Sequence, residues 1–166
     1  QTSLVGSEMC IRDRYLTGYP IDDLVLRNDF LELVENQINE LAKLTNDNKA
    51  AIILGAPRRE KTSIKNSVFV LDKGKIVTFR DKYNLPNSGV FDEQRIFSPG
   101  ALSGPVNIRG VLIGLPICED IWSETVVECL CETGAEIILS INASPYSIKK
   151  SDQRMSVAVS RVIESK

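Results

Sequence analysis

The chain has a cysteine in a setting suited to nucleophilic chemistry and no histidine to activate it. Cys118 stands in Leu115-Pro116-Ile117-Cys118-Glu119-Asp120-Ile121-Trp122, at the end of an apolar run. A cysteine nucleophile usually borrows an imidazole as its base. Here the base must be a carboxylate or a lysine, which few thiol-enzyme families use. A strand running into a helix start through a tight turn would lift Cys118 out of the sheet edge. The helix dipole would then favour its thiolate. The competing reading, a small buried hydrophobe at a strand end, is the commoner one for an isolated cysteine. Glu119 and Asp120 weigh against it, because two carboxylates at a buried strand end need partners.

Lys82, in Phe79-Arg80-Asp81-Lys82-Tyr83-Asn84-Leu85-Pro86, ends a second apolar run where a long loop begins. Such a lysine is most often a solvated edge residue. Its functional reading is a fixed positive charge beside Cys118, holding a thiolate and the oxyanion of a tetrahedral intermediate. Ser144, Pro145 and Lys150 follow a third run, and ligands in α/β folds collect at the carboxyl ends of strands. A polar loop leading into a capped helix explains them equally simply. Cys129, Cys131, Met155 and Trp122 read as core or half-buried packing. The four cysteines form no CxxC pair, and Cys129 and Cys131 lie two apart on an expected helix, facing different ways. A zinc site is not expected.

These groups need a scaffold. Phe30, Leu33, Val34, Ile38, Leu41 and Leu44 recur at three- and four-residue steps, predicting an amphipathic helix over 28–46 with Asn28 as N-cap. Residues 50–56 read as a buried strand closed by Gly55 and Pro57. Residues 68–71 and 76–79 flank Asp72-Lys73-Gly74-Lys75, a hairpin pattern. A Pro-, Gly- and Asn-rich stretch over 85–105 reads as a long connection of the kind that carries function. A strand over 111–117, a helix from Ser123 to about Glu132 ended by Gly134, a strand over 137–141 and a helix from about Ser151 complete the series. Strands alternating with helices imply an α/β layered fold.

A net charge of -2 in 166 residues gives no general attraction to nucleic acid or anionic membrane. No apolar run approaches the roughly 18 residues that span a bilayer. A composition sparing in cysteine suits a reducing cytoplasm. Both ends look abnormal. The last helix stops at Lys166 without a cap or a following strand, so the domain is expected to be cut short there. Residues 3–14, Ser-Leu-Val-Gly-Ser-Glu-Met-Cys-Ile-Arg-Asp-Arg, have no period suited to either element. They resemble a translated sequencing-library transposon adapter, so residues 1–14 are expected to be non-native and the domain to occupy 15–166.

Three segments together carry a family resemblance. They are Leu16-Thr17-Gly18-Tyr19-Pro20 through Phe30, Lys82-Tyr83-Asn84-Leu85-Pro86-Asn87-Ser88-Gly89-Val90-Phe91-Asp92-Glu93 through Phe97, and Leu115 to Trp122 with Asn142-Ala143-Ser144-Pro145. The chain resembles the glutaminase domain of glutamine-dependent NAD synthetases, a branch of the nitrilase (carbon–nitrogen hydrolase) superfamily, over residues 15–166. The resemblance implies an α/β fold, a nitrilase-type α-β-β-α sandwich here truncated at both ends. It also implies a Glu–Lys–Cys triad, which suits a chain without histidine. Cys118 would be the nucleophile and Lys82 its electrostatic partner. Ser144, Lys150 and Ser88 would fall at glutamine-binding positions, Ser88 replacing the usual tyrosine. The place of the catalytic glutamate falls on Asp13, one methylene shorter and inside the adapter-like segment. Its position is read as coincidence, so the triad is expected to be incomplete.

The implied reaction is hydrolysis of the glutamine side-chain amide, with ammonia passing to a separate domain that makes NAD with ATP and magnesium. No phosphate-binding Gly-rich motif occurs in this chain, which is expected to need no cofactor itself. The expected partners are glutamine and, for the whole enzyme, other copies of itself in the cytoplasm, with neither nucleic acid nor membrane. Two other classes stay open at this point. One is a stand-alone nitrilase-family amidase on another small amide, and the other is an inert truncated module.

Overall fold

The computed structural model describes residues 13–47, 50–89, 91–143 and 150–165. A short 3-10 helix, Asp22–Leu26, leads into α1, Asn28–Leu44. Arg27 takes the N-cap position with an extended backbone, so Asn28 is the first helical residue rather than the cap. The buried stripe of α1 is Leu31, Val34, Ile38 and Ala42, spaced three and four apart. Leu33 and Leu44, expected on that face, point outward and are exposed.

The first sheet is a continuous antiparallel meander of β1 (Ile52–Glu60), β2 (Ser63–Asp72) and β3 (Lys75–Asp81). Lys73 and Gly74 both have positive φ, the geometry of a two-residue hairpin turn. The β1–β2 hairpin departs from the strand end that Pro57 suggests. Pro57 instead pairs with Asn66 inside β1, an edge strand among the described residues, where a missing N–H can face away from the ladder. Strand alternation sends Val68 and Val70 to one face of β2 and Phe69 and Leu71 to the other. Phe69 and Leu71, with Leu54 and Ala56 of β1, pack on Val34, Ile38 and Ala42 of α1.

The loop after β3 holds one short helical turn, α2 (Glu93–Ile96). The second sheet then pairs β4 (Val106–Ile108) antiparallel with β5 (Val111–Gly114), and β5 parallel with β6 (Ile137–Ile138). β5 is shorter than expected because the chain leaves the ladder at Leu115-Pro116, rejoining it at the Ile117–Ile141 bridge. Between β5 and β6 runs α3, Glu124–Glu132. It ends as its sequence suggests: Gly134 has φ +96°, its N–H donates to Cys131, and the Ala135 N–H donates to Leu130. Ile53, Val68 and Val70 of the first sheet meet Val106, Leu115, Ile117, Cys118 and Ile141 of the second. Behind the second sheet, Leu130 of α3 lies over Gly114, where a β-carbon would come within 2.6 Å of Ile138. The last helix, α4 (Lys150–Glu164), contacts α3 and the turn that begins at Cys118. The order of layers is therefore helix, sheet, sheet, helix. Met155, expected to pack, is 67% exposed on the outer side of α4, because Val157, Ala158 and Arg161 take the inner side. No described helix is long and apolar enough to cross a membrane.

Candidate active site

The site forms where the two sheets release their chains. Cys118 follows the Ile117 bridge and opens a 3-10 helix, Cys118–Trp122. Its N–H donates to Ile141 O at 2.8 Å and its φ is +49°. A left-handed conformation at a residue with a side chain costs of order 1–3 kcal/mol and collects at functional sites. Between the strand and α3 thus lies a 3-10 turn, and α3 itself starts only at Glu124. The thiol does not follow the dipole expectation. Burial pushes its pKa up, and the Asp13 and Glu93 carboxylates add to that. The Lys82 charge and a backbone hydrogen bond from Ala143 oppose the rise without cancelling it. Cys118 rests as a neutral thiol, so attack needs a base.

Lys82 leaves the end of β3 with both backbone groups fixed. Its N–H donates to Asn66 O at 2.8 Å, and its carbonyl accepts the Gly100 N–H at 2.7 Å. That approach requires glycine, since a β-carbon at Gly100 would sit 2.6 Å from Asp81 O. The Lys82 side chain is wholly buried, with Nζ 2.8 Å from Glu93 Oε2 and 3.2 Å from Asp13 Oδ2. Burial alone would lower its pKa, but the charges of Asp13, Glu93 and the Cys118 site outweigh this and keep the ammonium protonated. Glu93 Oε1 accepts from Arg14 Nη2 at 2.9 Å. Burial raises the Glu93 pKa, against the pull of Lys82 and Arg14. The Arg14 guanidinium lies over the rings of Tyr19 and Phe97, 4.2 and 4.9 Å from their centroids. Two carboxylates and two cations thus share one dry pocket, the arrangement that buried charge demands. Asp13 Oδ1 is buried and has no hydrogen-bond partner among the described residues.

The structure therefore brings Cys118, Lys82 and Asp13 into one electrostatic unit. Ser88 is exposed in the loop turn, where its carbonyl accepts the Phe91 N–H at 3.1 Å. Ser144 lies outside the described residues, and of Lys150 only the backbone, opening α4, is described. Glu93 is the residue that sequence reasoning missed. It closes the Leu-Pro-Asn-x-Gly-Val-Phe-Asp-Glu run. A buried lysine needs an acid to pair with, and Glu93, 2.8 Å from Nζ, is the acid that its own loop supplies. Among the described residues no cluster of three or more His, Cys, Asp or Glu is placed to hold a metal.

The chain matches the carbon–nitrogen hydrolase family over residues 14–165. It is 36% identical over 157 residues to the glutamine-dependent NAD(+) synthetase of Rhodobacter capsulatus, covering 95% of this chain and 28% of that protein. The synthetase of Aquifex aeolicus is 34% identical over 147 residues, covering 88% of this chain and 26% of its own length. The chain thus spans little more than a quarter of the curated relatives it matches. Among solved structures, the glutamine-dependent NAD+ synthetase of Acinetobacter baumannii superposes with a TM-score of 0.79 at 31% identity, over 87% of this chain and 27% of that one. A Nesterenkonia amidase of the nitrilase superfamily shares the fold at a TM-score of 0.77 and 16% identity, over 93% of this chain and 58% of that one. With its histidine-free thiol site and its layered sheets, this chain belongs to the carbon–nitrogen hydrolase family.

Proposed function

We propose that this chain carries the glutamine-hydrolysing site of a longer glutamine-dependent NAD synthetase. The observation that carries this reading is Lys82, buried between two carboxylates and coupled to the Cys118 thiol. A carboxylate at position 13 takes the thiol proton as Cys118 Sγ attacks the side-chain amide carbon of glutamine. The negative charge that develops on the amide oxygen is met by the Lys82 ammonium. The carboxylic acid returns its proton to the departing nitrogen, which leaves as ammonia, and a glutamyl thioester remains on Cys118. Water, deprotonated by the same carboxylate, then attacks the thioester, releasing glutamate and the thiol. Ser144, Lys150 and Ser88 are proposed to contact the glutamine. Ser88 in the loop after β3 and the backbone of Lys150 at the start of α4 are consistent with this in the described residues.

The ammonia is proposed to be used in another part of the longer protein, where ATP and magnesium act, and no residue of this chain is assigned to them. Free thiols at Cys118, Cys129 and Cys131 support a cytoplasmic setting. The exposed apolar residues Met155, Val159, Val162 and Ile163 on α4 support assembly of the whole protein with copies of itself. The same reading treats residues 1–14 as foreign to the domain. Its support is the adapter-like sequence of residues 3–14, which has no period suited to helix or strand.

In the complete gene product, Cys118→Ala is expected to bring glutamine-supported NAD formation to background and leave ammonium-supported formation intact. Continued glutamine-supported synthesis in Cys118→Ala would contradict the assignment, as would equal loss with both nitrogen donors.

A further inference from the structure

Asp120 is 3% exposed and takes no part in the chemistry above. Its carboxylate is divided between two chain segments. Oδ2 accepts the Ile117 N–H at 3.0 Å, next to Cys118, and Oδ1 accepts the Asn84 N–H at 2.7 Å, two residues beyond Lys82. The Asp120 N–H closes back on Ile117 O at 3.1 Å. No strand pairing joins these segments, because β3 and β5 belong to different sheets. The turn held at Ile117 is also the one in which Cys118 adopts its left-handed φ. We propose that Asp120 is a positioning residue, a single carboxylate that fixes the turn bearing Cys118 against the loop bearing Lys82. The proposal rests on the roles given to Cys118 and Lys82 above, and deepens them by naming what sets their separation.

The surroundings of Asp120 make the clamp titratable. Burial raises its pKa to about 6, while the backbone N–H groups of Asn84 and Ile117 and the Lys82 charge pull the other way. Arg80, Asp81 and Tyr83 share its crevice from β3 and the following loop. Leu115, Val126 and Leu130 close that crevice with apolar groups, and Glu119 adjoins Asp120 on its own turn. Because the folded value lies above an ordinary carboxylate, Asp120 takes up a proton as pH falls through about 6. Linkage makes that uptake favour the folded state, whereas an oxygen bearing the proton can no longer accept freely. Stability from this group and the grip of the clamp therefore move in opposite directions with pH.

The test is an amide NMR titration of the 15N-labelled protein, combined with a thiol titration of Cys118. The Ile117 and Asn84 amide protons are expected to shift together, with one midpoint near 6, and Asp120→Asn should abolish both shifts. Asp120→Asn should also cut by about half or more the change that Lys82→Met makes in the Cys118 titration, a coupling that a merely structural aspartate would not alter. An unchanged coupling would overturn the proposal. Should Asp120→Asn fail to fold, the unsubstituted protein decides alone, since separate midpoints for the two amides would also overturn it. None of these readouts involves glutamine, so their failure leaves the glutaminase reading standing.

Discussion

Lys82→Met is expected to cost about 3–5 kcal/mol of stability at neutral pH, the usual penalty for stranding buried charge. Asp13 and Glu93 would lose the cation between them while staying in the same dry pocket. For a chain of this size about 1 kcal/mol corresponds to roughly 2–4 °C, so Tm should fall by roughly 6–20 °C. The pH dependence follows from the signs of the shifts. The Lys82 pKa is raised above its unfolded value, so its contribution is complete throughout the neutral range and is lost only as strongly alkaline pH passes the folded value. Glu93 is also raised, so its linkage contribution is present at low pH and is lost as pH rises through its folded value. Removing the lysine raises Glu93 further and widens that loss. The variant should therefore lie closer to the unsubstituted protein at pH 5 than at pH 8. Thermal melts followed by circular dichroism at both pH values check this. A penalty below about 1 kcal/mol, or one equal at both pH values, would show that Lys82 is not the charge that balances the pocket.

Asp13→Glu is expected to accelerate covalent reaction of Cys118 by about 100-fold at neutral pH, the lower end of general-base contributions. Burial raises the thiol pKa, and the acid at the family's base position spends Oδ2 on Lys82 while Oδ1 makes no hydrogen bond and lies 3.8 Å from Arg14 Nε. One more methylene lets the carboxylate keep the lysine and extend further into the site. The 166-residue chain with aspartate is correspondingly expected to release no glutamate above background from glutamine. Stopped-time alkylation with a small haloacetamide, with the adduct located by peptide mass spectrometry, measures the rate at Cys118 apart from the other thiols. An unchanged or slower rate in Asp13→Glu would mean that position 13 does not supply the base.

Much of this scaffold was legible in the sequence because it depends on local rules. The extent of α1, the Lys73-Gly74 hairpin, the Gly134 helix stop and the strand leading to Cys118 all follow from short-range pattern. The misses have physical reasons. Pro57 reads as a terminator unless its strand is known to be an edge. β4 has three residues and pairs only through tertiary contact, and β5 breaks at Pro116. Cys118 and Lys82 could be singled out as a pair because each follows an apolar run, and the family resemblance then joined them. Glu93 and Asp120 could not be read in the same way, since their roles depend on what lies across the gap between two sheets. The elevated thiol pKa was likewise hidden, because it records burial and the summed field of four neighbours rather than any local sequence.

In the function proposed above, Cys118 is a nucleophile built to attack the side-chain amide carbon of glutamine. Its most direct test is a glutamine analogue carrying a chloromethyl ketone in place of the carboxamide, offered to the Asp13→Glu protein and followed by intact mass and peptide mapping. The expected result is a single adduct on Cys118, slowed by excess glutamine and absent in Cys118→Ala. Labelling spread evenly over Cys10, Cys129 and Cys131, or a Cys118 adduct indifferent to glutamine, would contradict it.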